Sequence, residues 1–208
     1  MSQRSIIYID GFNFYYGAVR GTSHKWLDFE SCFRRLRPHD QIVRIHYFTS
    51  LVIGSTRANQ ETYLRALASR PLINVILGKF KTKQVTCRVP GCTHSGPRVF
   101  DSPEEKRTDV NIAIQLLDDA FHDRAERYVI ISGDSDLVPA LERTKALAPD
   151  KKILVYVPSR HPARGAAVEL RSAADKHPTF PLALLKVSQF PREFSDGRGG
   201  IIRKPADW

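Results

Sequence analysis

Three short stretches of the chain place aspartates where a metal site would want them. They are Ile6–Asn13, Lys106–Asn111 and Val129–Asp136. The first and third are apolar runs that end abruptly in carboxylates, and such runs read as buried parallel strands. Ligands of open α/β sheets collect at the carboxyl ends of strands. Two strands ending in Asp10 and in Asp134 and Asp136, with a helix opening on Asp109, would therefore converge on one pocket. Carboxylates packed together repel one another unless a cation sits among them. Oxygen-only donors suit a hard divalent ion, Mg²⁺ or Mn²⁺.

The elements that must hold these acids follow from periodicity. Strands are expected at Ser5–Asp10, Ile42–Thr49, Leu72–Lys81, Tyr128–Ser132 and Lys152–Val157. Helices are expected at Asn13–Arg20, Phe29–Arg37 (capped by Asp28), Asn59–Ser69, Thr108–Phe121 and Pro139–Leu147. Residues 81–103, rich in Pro and Gly and holding two cysteines, read as irregular. Strands alternating with helices predict a three-layer, Rossmann-like α/β/α fold with a mostly parallel sheet. Residues 1–191 read as one domain and 192–208 as a loosely attached, basic, Gly/Pro-containing tail.

Within the helix expected from Thr108, Thr108 is the N-cap and Asp109 falls in the first turn. At about 100° per residue, Val110, Ile112, Ala113, Leu116, Leu117 and Ala120 form an apolar arc with Asp109 near its middle. Asp109 thus serves either the helix terminus or a site at the strand tips, and its inward direction favours the site. Gly133 permits a tight turn, so Asp134 and Asp136 either share one ion or divide metal binding and water positioning between them. Asn13 either caps the next helix or bonds a metal-bound water or phosphate oxygen. Phe12, Phe14, Tyr15 and Tyr16 read first as core and second as stacking surfaces for bases.

Lys+Arg 32 against Asp+Glu 22 gives a net charge of +10. A polyanion, nucleic acid before membrane, is the expected partner. No stretch approaches a membrane span and no signal peptide precedes Ile6, so a soluble, cytoplasmic protein is expected. Three cysteines, an odd count, fit a reducing compartment. A homo-oligomer stays open as an assembly.

The motifs Ile9-Asp10-Gly11-Phe12-Asn13, Glu105-Lys106-Arg107-Thr108-Asp109-Val110 and Ser132-Gly133-Asp134-Ser135-Asp136 together resemble the NYN domain family of PIN-like nucleases, in its LabA-like branch. A fainter likeness runs through Ala173-Ala174-Asp175 and Ser188-Gln189-Phe190-Pro191. The resemblance implies a PIN-like fold, an acidic Mg²⁺ site and RNA cleavage. It assigns the metal to Asp10, Asp109, Asp134 and Asp136, gives Asn13 a supporting role and makes Lys106 a phosphate contact. The expected activity is metal-dependent (endo)ribonuclease hydrolysis of RNA phosphodiester bonds, with a non-catalytic RNA-binding module of the same fold as its rival. A haloacid-dehalogenase-type phosphatase would need a second acid two residues after Asp10, where Phe12 stands. A dinucleotide site would need more than Gly11 in its turn.

Two further features lie between the first and second motifs. Lys79, Lys81, Lys83 and Arg88 form a basic stretch that would grip an RNA backbone. Cys87, Cys92 and His94 put three zinc-type ligands in eight residues around a Pro90-Gly91 turn, one short of a structural site, against which stands a plain loop with two free thiols.

Overall fold

The computed structural model describes residues 3–160, 168–206 and 208. In chain order the elements are β1 (Gln3–Asp10), α1 (Gly11–Phe14, continuing as a π-helical turn over Tyr15–Val19), α2 (Phe29–Leu36), β2 (Asp40–Thr49), α3 (Arg57–Ala68), β3 (Ile73–Leu77), β4 (Lys79–Thr86) and β5 (Val99–Lys106). There follow α4 (Thr108–Phe121), β6 (Arg127–Ile131), α5 (Val138–Leu147), β7 (Lys152–Tyr156), α6 (Val168–Ala173), α7 (Ala183–Val187), β8 (Glu193–Ser195) and β9 (Ile201–Arg203).

The central sheet runs β3-β2-β1-β6-β7 with every pair parallel. The chain builds outward from β1 through β2 to β3, then crosses back to the other side of β1 with β6. The order therefore reverses between β1 and β6, the place where open α/β sheets form their crevice. Side-chain alternation makes the layers. Ile7, Ile9, Val129, Ile131, Leu154 and Tyr156 enter one core with α2 and α3. Ile6, Tyr8, Tyr128, Ile130, Ile153 and Val155 enter the opposite core with α4 and α5. The expected three-layer α/β/α architecture is the observed one, and its sheet is wholly parallel.

Three local expectations are corrected. First, the strand expected through Lys81 stops at Leu77. Gly78 then passes so close to the start of α4 that an added Cβ would lie 2.8 Å from Lys106 O and 2.8 Å from Thr108 Oγ1. The segment expected to be irregular begins and ends as an antiparallel hairpin, paired from Lys79↔Lys106 to Thr86↔Val99. Its strands are mostly exposed, so they carry no apolar alternation to read. Second, the buried stripe of α4 includes Thr108, Ile112, Leu116 and Ala120, whereas Val110 is 59% exposed. Asp119 is also inside, because its carboxylate accepts from Tyr8 Oη (2.6 Å), Gln115 Nε2 (3.1 Å) and Arg124 Nη1 (2.6 Å). Burial raises the Asp119 carboxyl, and bonds from His46, Tyr8 and Arg124 outweigh it and hold the group down to about 2.

Third, the segment after Phe190 is docked. β8 and β9 pair antiparallel, Ile202 is 1% exposed within the core, and Arg70 lies 4.9 Å from the Phe190 ring centre and 5.8 Å from that of Phe194. Trp208 Nε1 donates to Lys25 O at 2.9 Å. A Gly/Arg-rich composition hides the few inward apolar residues that anchor it. Replacing a fully buried isoleucine by alanine typically costs about 2–5 kcal/mol. Ile202→Ala is therefore expected to lower the urea midpoint by a corresponding amount, whereas a loose tail would leave it unmoved.

Candidate metal centre

Asp10 ends β1 on the side of Ile6 and Tyr8, the side packed by α4. Its Oδ1 accepts the backbone N–H of Asn13 at 2.9 Å, so Asp10 itself is the cap of α1. Its Oδ2 accepts the Ser132 hydroxyl at 3.0 Å. Gly11 lets the chain turn here, because an added Cβ would lie 2.6 Å from Phe48 O. Asn13 is neither cap nor free ligand: its Oδ1 accepts Gly133 N–H at 2.9 Å. The two turns after β1 and β6 are thus tied by two hydrogen bonds, Ser132 to Asp10 and Gly133 to Asn13.

Asp134 follows from this tie. Its backbone N–H donates to Ser132 Oγ (3.1 Å), and its Oδ1 accepts Asp136 N–H (3.0 Å), capping the short 3₁₀ turn Ser135–Leu137. Asp109 arrives from α4, half-buried in the first turn. One carboxylate oxygen each from Asp10, Asp109 and Asp134 lie within 4.8 Å of one another. Asp136 lies outside this trio and is exposed, though its charge reaches Asp109.

Thr108 does not cap α4. Its hydroxyl donates to Glu105 Oε1 at 2.5 Å, and Arg107 holds the cap position with φ 80, a left-handed conformation that costs an arginine roughly 1–2 kcal/mol. Glu105 is the acid that sequence reasoning passed over. Burial pushes its carboxyl up, and Asp10 and Asp109 push it further. It opens the second family motif but received no role there; the β4–β5 register supplies one, by pairing it with Phe80, whose ring meets Phe12 at 5.4 Å. Paired residues of a hairpin share a face. Phe80 and Glu105 thus turn toward the site, while Lys79, Lys81 and Lys83 line the other face with Lys106, whose ammonium bonds Glu104 at 2.6 Å. Arg88 is exposed beyond the end of β4.

Of the two readings of Cys87, Cys92 and His94, the geometry supports the plain loop. Among the described residues the aspartate trio is the one set of three His, Cys, Asp or Glu ligand atoms close enough to share an ion. Cys87 continues the hairpin ladder through its N–H to Arg98 O (2.8 Å), and both it and Cys92 are free thiols. The His94 ring turns onto Gly96.

The trio fits a hard divalent cation. Its donors are all carboxylate oxygens, and among the described residues no lysine or arginine pairs with Asp10, Asp109 or Asp134. Burial pushes the Asp10 carboxyl up to about 6, against the hydrogen bonds from Asn13 and Ser132 and with help from Asp109 and Asp134. Burial likewise raises Asp109, with Asp134 and Asp136 adding to it.

A raised folded-state pKa stabilises the fold below the unfolded value and loses that contribution as pH rises through about 6. Metal-free protein should therefore lose about 1–2 kcal/mol through Asp10 between pH 5 and 7.5. Denaturant unfolding of wild type and Asp10→Asn at both pH values measures it. The variant should lack this part of the pH dependence, and parallel profiles would remove Asp10 as its source.

No helix among the described residues is long and apolar enough to cross a membrane. Over an alignment of 238 positions the chain is 32% identical to 6-hydroxy-3-succinoylpyridine 3-monooxygenase HspA of Pseudomonas putida (strain DSM 28022 / S16), covering 99% of this chain and 75% of that protein. A crystal structure of a protein of unknown function from Vibrio parahaemolyticus RIMD 2210633 shares the fold, with a TM-score of 0.56 at 19% identity, over 86% of this chain and 94% of that one. The NYN domain profile matches residues 4–181, spanning the sheet, the acid trio and the hairpin, and the chain belongs to the NYN domain family.

Proposed function

We propose that the protein is a metal-dependent ribonuclease that hydrolyses RNA phosphodiester bonds at the acid trio. The observation that carries this reading is the meeting of Asp10, Asp109 and Asp134 at the β1/β6 switch point, with no lysine or arginine among the described residues paired to them. Asp10, Asp109 and Asp134 would hold Mg²⁺ or Mn²⁺, which when bound lowers the pKa of a coordinated water and offsets charge growing on the phosphate oxygens. Ser132 and the Asn13 backbone fix the Asp10 carboxylate, so its oxygens need no reorganisation. Asp136, exposed beside Asp109, takes the proton of the attacking water as its oxygen bonds phosphorus and the ribose oxygen leaves. Lys79, Lys81, Lys83, Arg88 and Lys106 supply a basic flank for the RNA backbone.

A second reading comes from the Pseudomonas relative, named a monooxygenase of 6-hydroxy-3-succinoylpyridine, and the identity across nearly the whole chain favours it. The donor set favours hydrolysis, since the trio holds carboxylates and no imidazole. Oxygen uptake with that pyridine and a reduced nicotinamide, measured beside RNA cleavage, separates the two.

Purified protein should cut RNA with Mg²⁺ or Mn²⁺ and stop in EDTA. Asp109→Asn and Asp134→Asn should each slow cleavage about a hundredfold or more while the fold persists. Cleavage unchanged in EDTA would defeat the mechanism, and RNA bound but intact would leave the non-catalytic module. Neutralising Lys79, Lys81, Lys83 and Arg88 together should flatten the salt dependence of single-strand binding by roughly 0.7 in log-log slope per charge. An unchanged slope in filter-binding titrations would take this flank out of the interface.

A further inference from the structure

Beside the metal centre lies a cavity of about 410 Å³, a size that holds a small ligand. Gly11, the residue after Asp10, is in its wall. Its lining is rich in aromatic residues, Phe12, Tyr16, Tyr47, Tyr63 and Trp208 among them. The π-helical turn widens the helix where Tyr15 and Tyr16 enter it. Trp208 is held in place by its bond to Lys25 O and by the Tyr63 ring at 5.6 Å.

Two polar groups in this wall have no hydrogen-bonding or ion-pair partner among the described residues. The Asn59 amide makes no hydrogen bond among the described residues, and the Lys25 ammonium meets no carboxylate, only the Trp208 ring at 5.9 Å. An amide offers one donor and one acceptor to a heterocycle edge, and an ammonium offers donors to a phosphate. A second cavity, of about 400 Å³, shares Phe12, Tyr16 and Val52 with the first and reaches Phe80 and Glu105. Phe12 and Tyr16, stacked at 6.3 Å, therefore line both hollows, one of which includes Glu105 in its wall. Adjacent hollows that share an aromatic wall suit successive planar groups joined by a backbone better than one free ring.

We infer that the cavity walled by Phe12, Tyr63 and Trp208 receives an unpaired nucleobase of the RNA strand whose phosphate meets the acid trio. The inference rests on the ribonuclease reading and adds to it the form of the substrate. Stacking on aromatic faces tolerates any base, while a base held in a duplex has both faces covered and its edge paired. The site therefore selects single-stranded RNA, with Asn59 contacting the base edge and Lys25 the backbone.

Binding in EDTA isolates this claim from cleavage. Single-stranded oligoribonucleotides carrying 2-aminopurine at each position in turn should show quenching confined to one or two positions. A duplex of the same sequence should bind about tenfold more weakly. Trp208→Ala and Asn59→Ala should each weaken single-strand binding about fivefold or more, and Trp208→Phe should restore most of it. Circular dichroism melts of each variant check the fold, and Asn59→Ala stands in should Trp208→Ala unfold. Equal affinity for the duplex, quenching spread evenly along the strand, or full affinity in both alanine variants would overturn the inference. Failure of the ribonuclease reading looks different: no metal would support cleavage of any RNA by wild type. Metal-dependent cleavage that proceeds alike on single strand and duplex and ignores Trp208 would sink the base site alone.

Discussion

Mutual repulsion among carboxylates is the constraint around which this molecule is arranged. Asp10 is 5% exposed at a strand end, with Asp109 and Asp134 beside it and Glu105 nearby. Burial and like charge both raise its pKa, and only hydrogen bonds from Asn13 and Ser132 oppose them. A fold left to relax would spread these groups into water. Here each comes from a different element, β1, α4 and the turn after β6, and each element is fixed by a core that the acids do not influence. Ile7 and Ile9 on one side and Ile6 and Tyr8 on the other hold β1 in the middle of the sheet.

Support for the acids is local as well as global. Ser132 and Asn13 join the two turns that carry Asp10 and Asp134, so neither carboxylate moves without the other. Asp119, lower on α4, has a contrasting environment. It is as buried as Asp10, yet Tyr8, Gln115, Arg124 and His46 surround it with donors and its pKa falls. The same residue type is thus a settled structural group at one end of α4 and an unsatisfied one near the other. Donor supply, rather than burial, separates the two.

The sheet was legible because buried parallel strands are continuous apolar runs, and Ile6–Ile9, Val129–Ile131 and Ile153–Tyr156 are such runs. Asp10, Asp134 and Asp136 were legible because they follow the ends of such runs, and Asp109 because it opens an amphipathic helix. The β4–β5 hairpin was not, since Lys79 to Thr86 buries little and its pairing is purely backbone. With it went Glu105, whose place follows from cross-strand register alone. The role of Trp208 was equally hidden: a tail reads as loose until Ile202 and Phe194 are seen to dock it. Cys87, Cys92 and His94 matched a ligand spacing, but their three ligand atoms do not gather within reach of one ion. Of the two roles open to Asn13, the cap belongs to Asp10, and the Asn13 amide oxygen accepts from Gly133 N–H instead.

The joint at Gly78 and Arg107 gives the hairpin a mechanical character. Eight paired residues on each strand make β4–β5 a stiff beam, rooted where Gly78 presses against Lys106 O and Thr108 Oγ1. Arg107, the next residue along, is wound into a left-handed turn, and two residues later comes Asp109. No slack separates the beam from the helix that carries this acid. A load on the lysine-bearing arm would act with leverage at its root, beside the Asp109 end of α4.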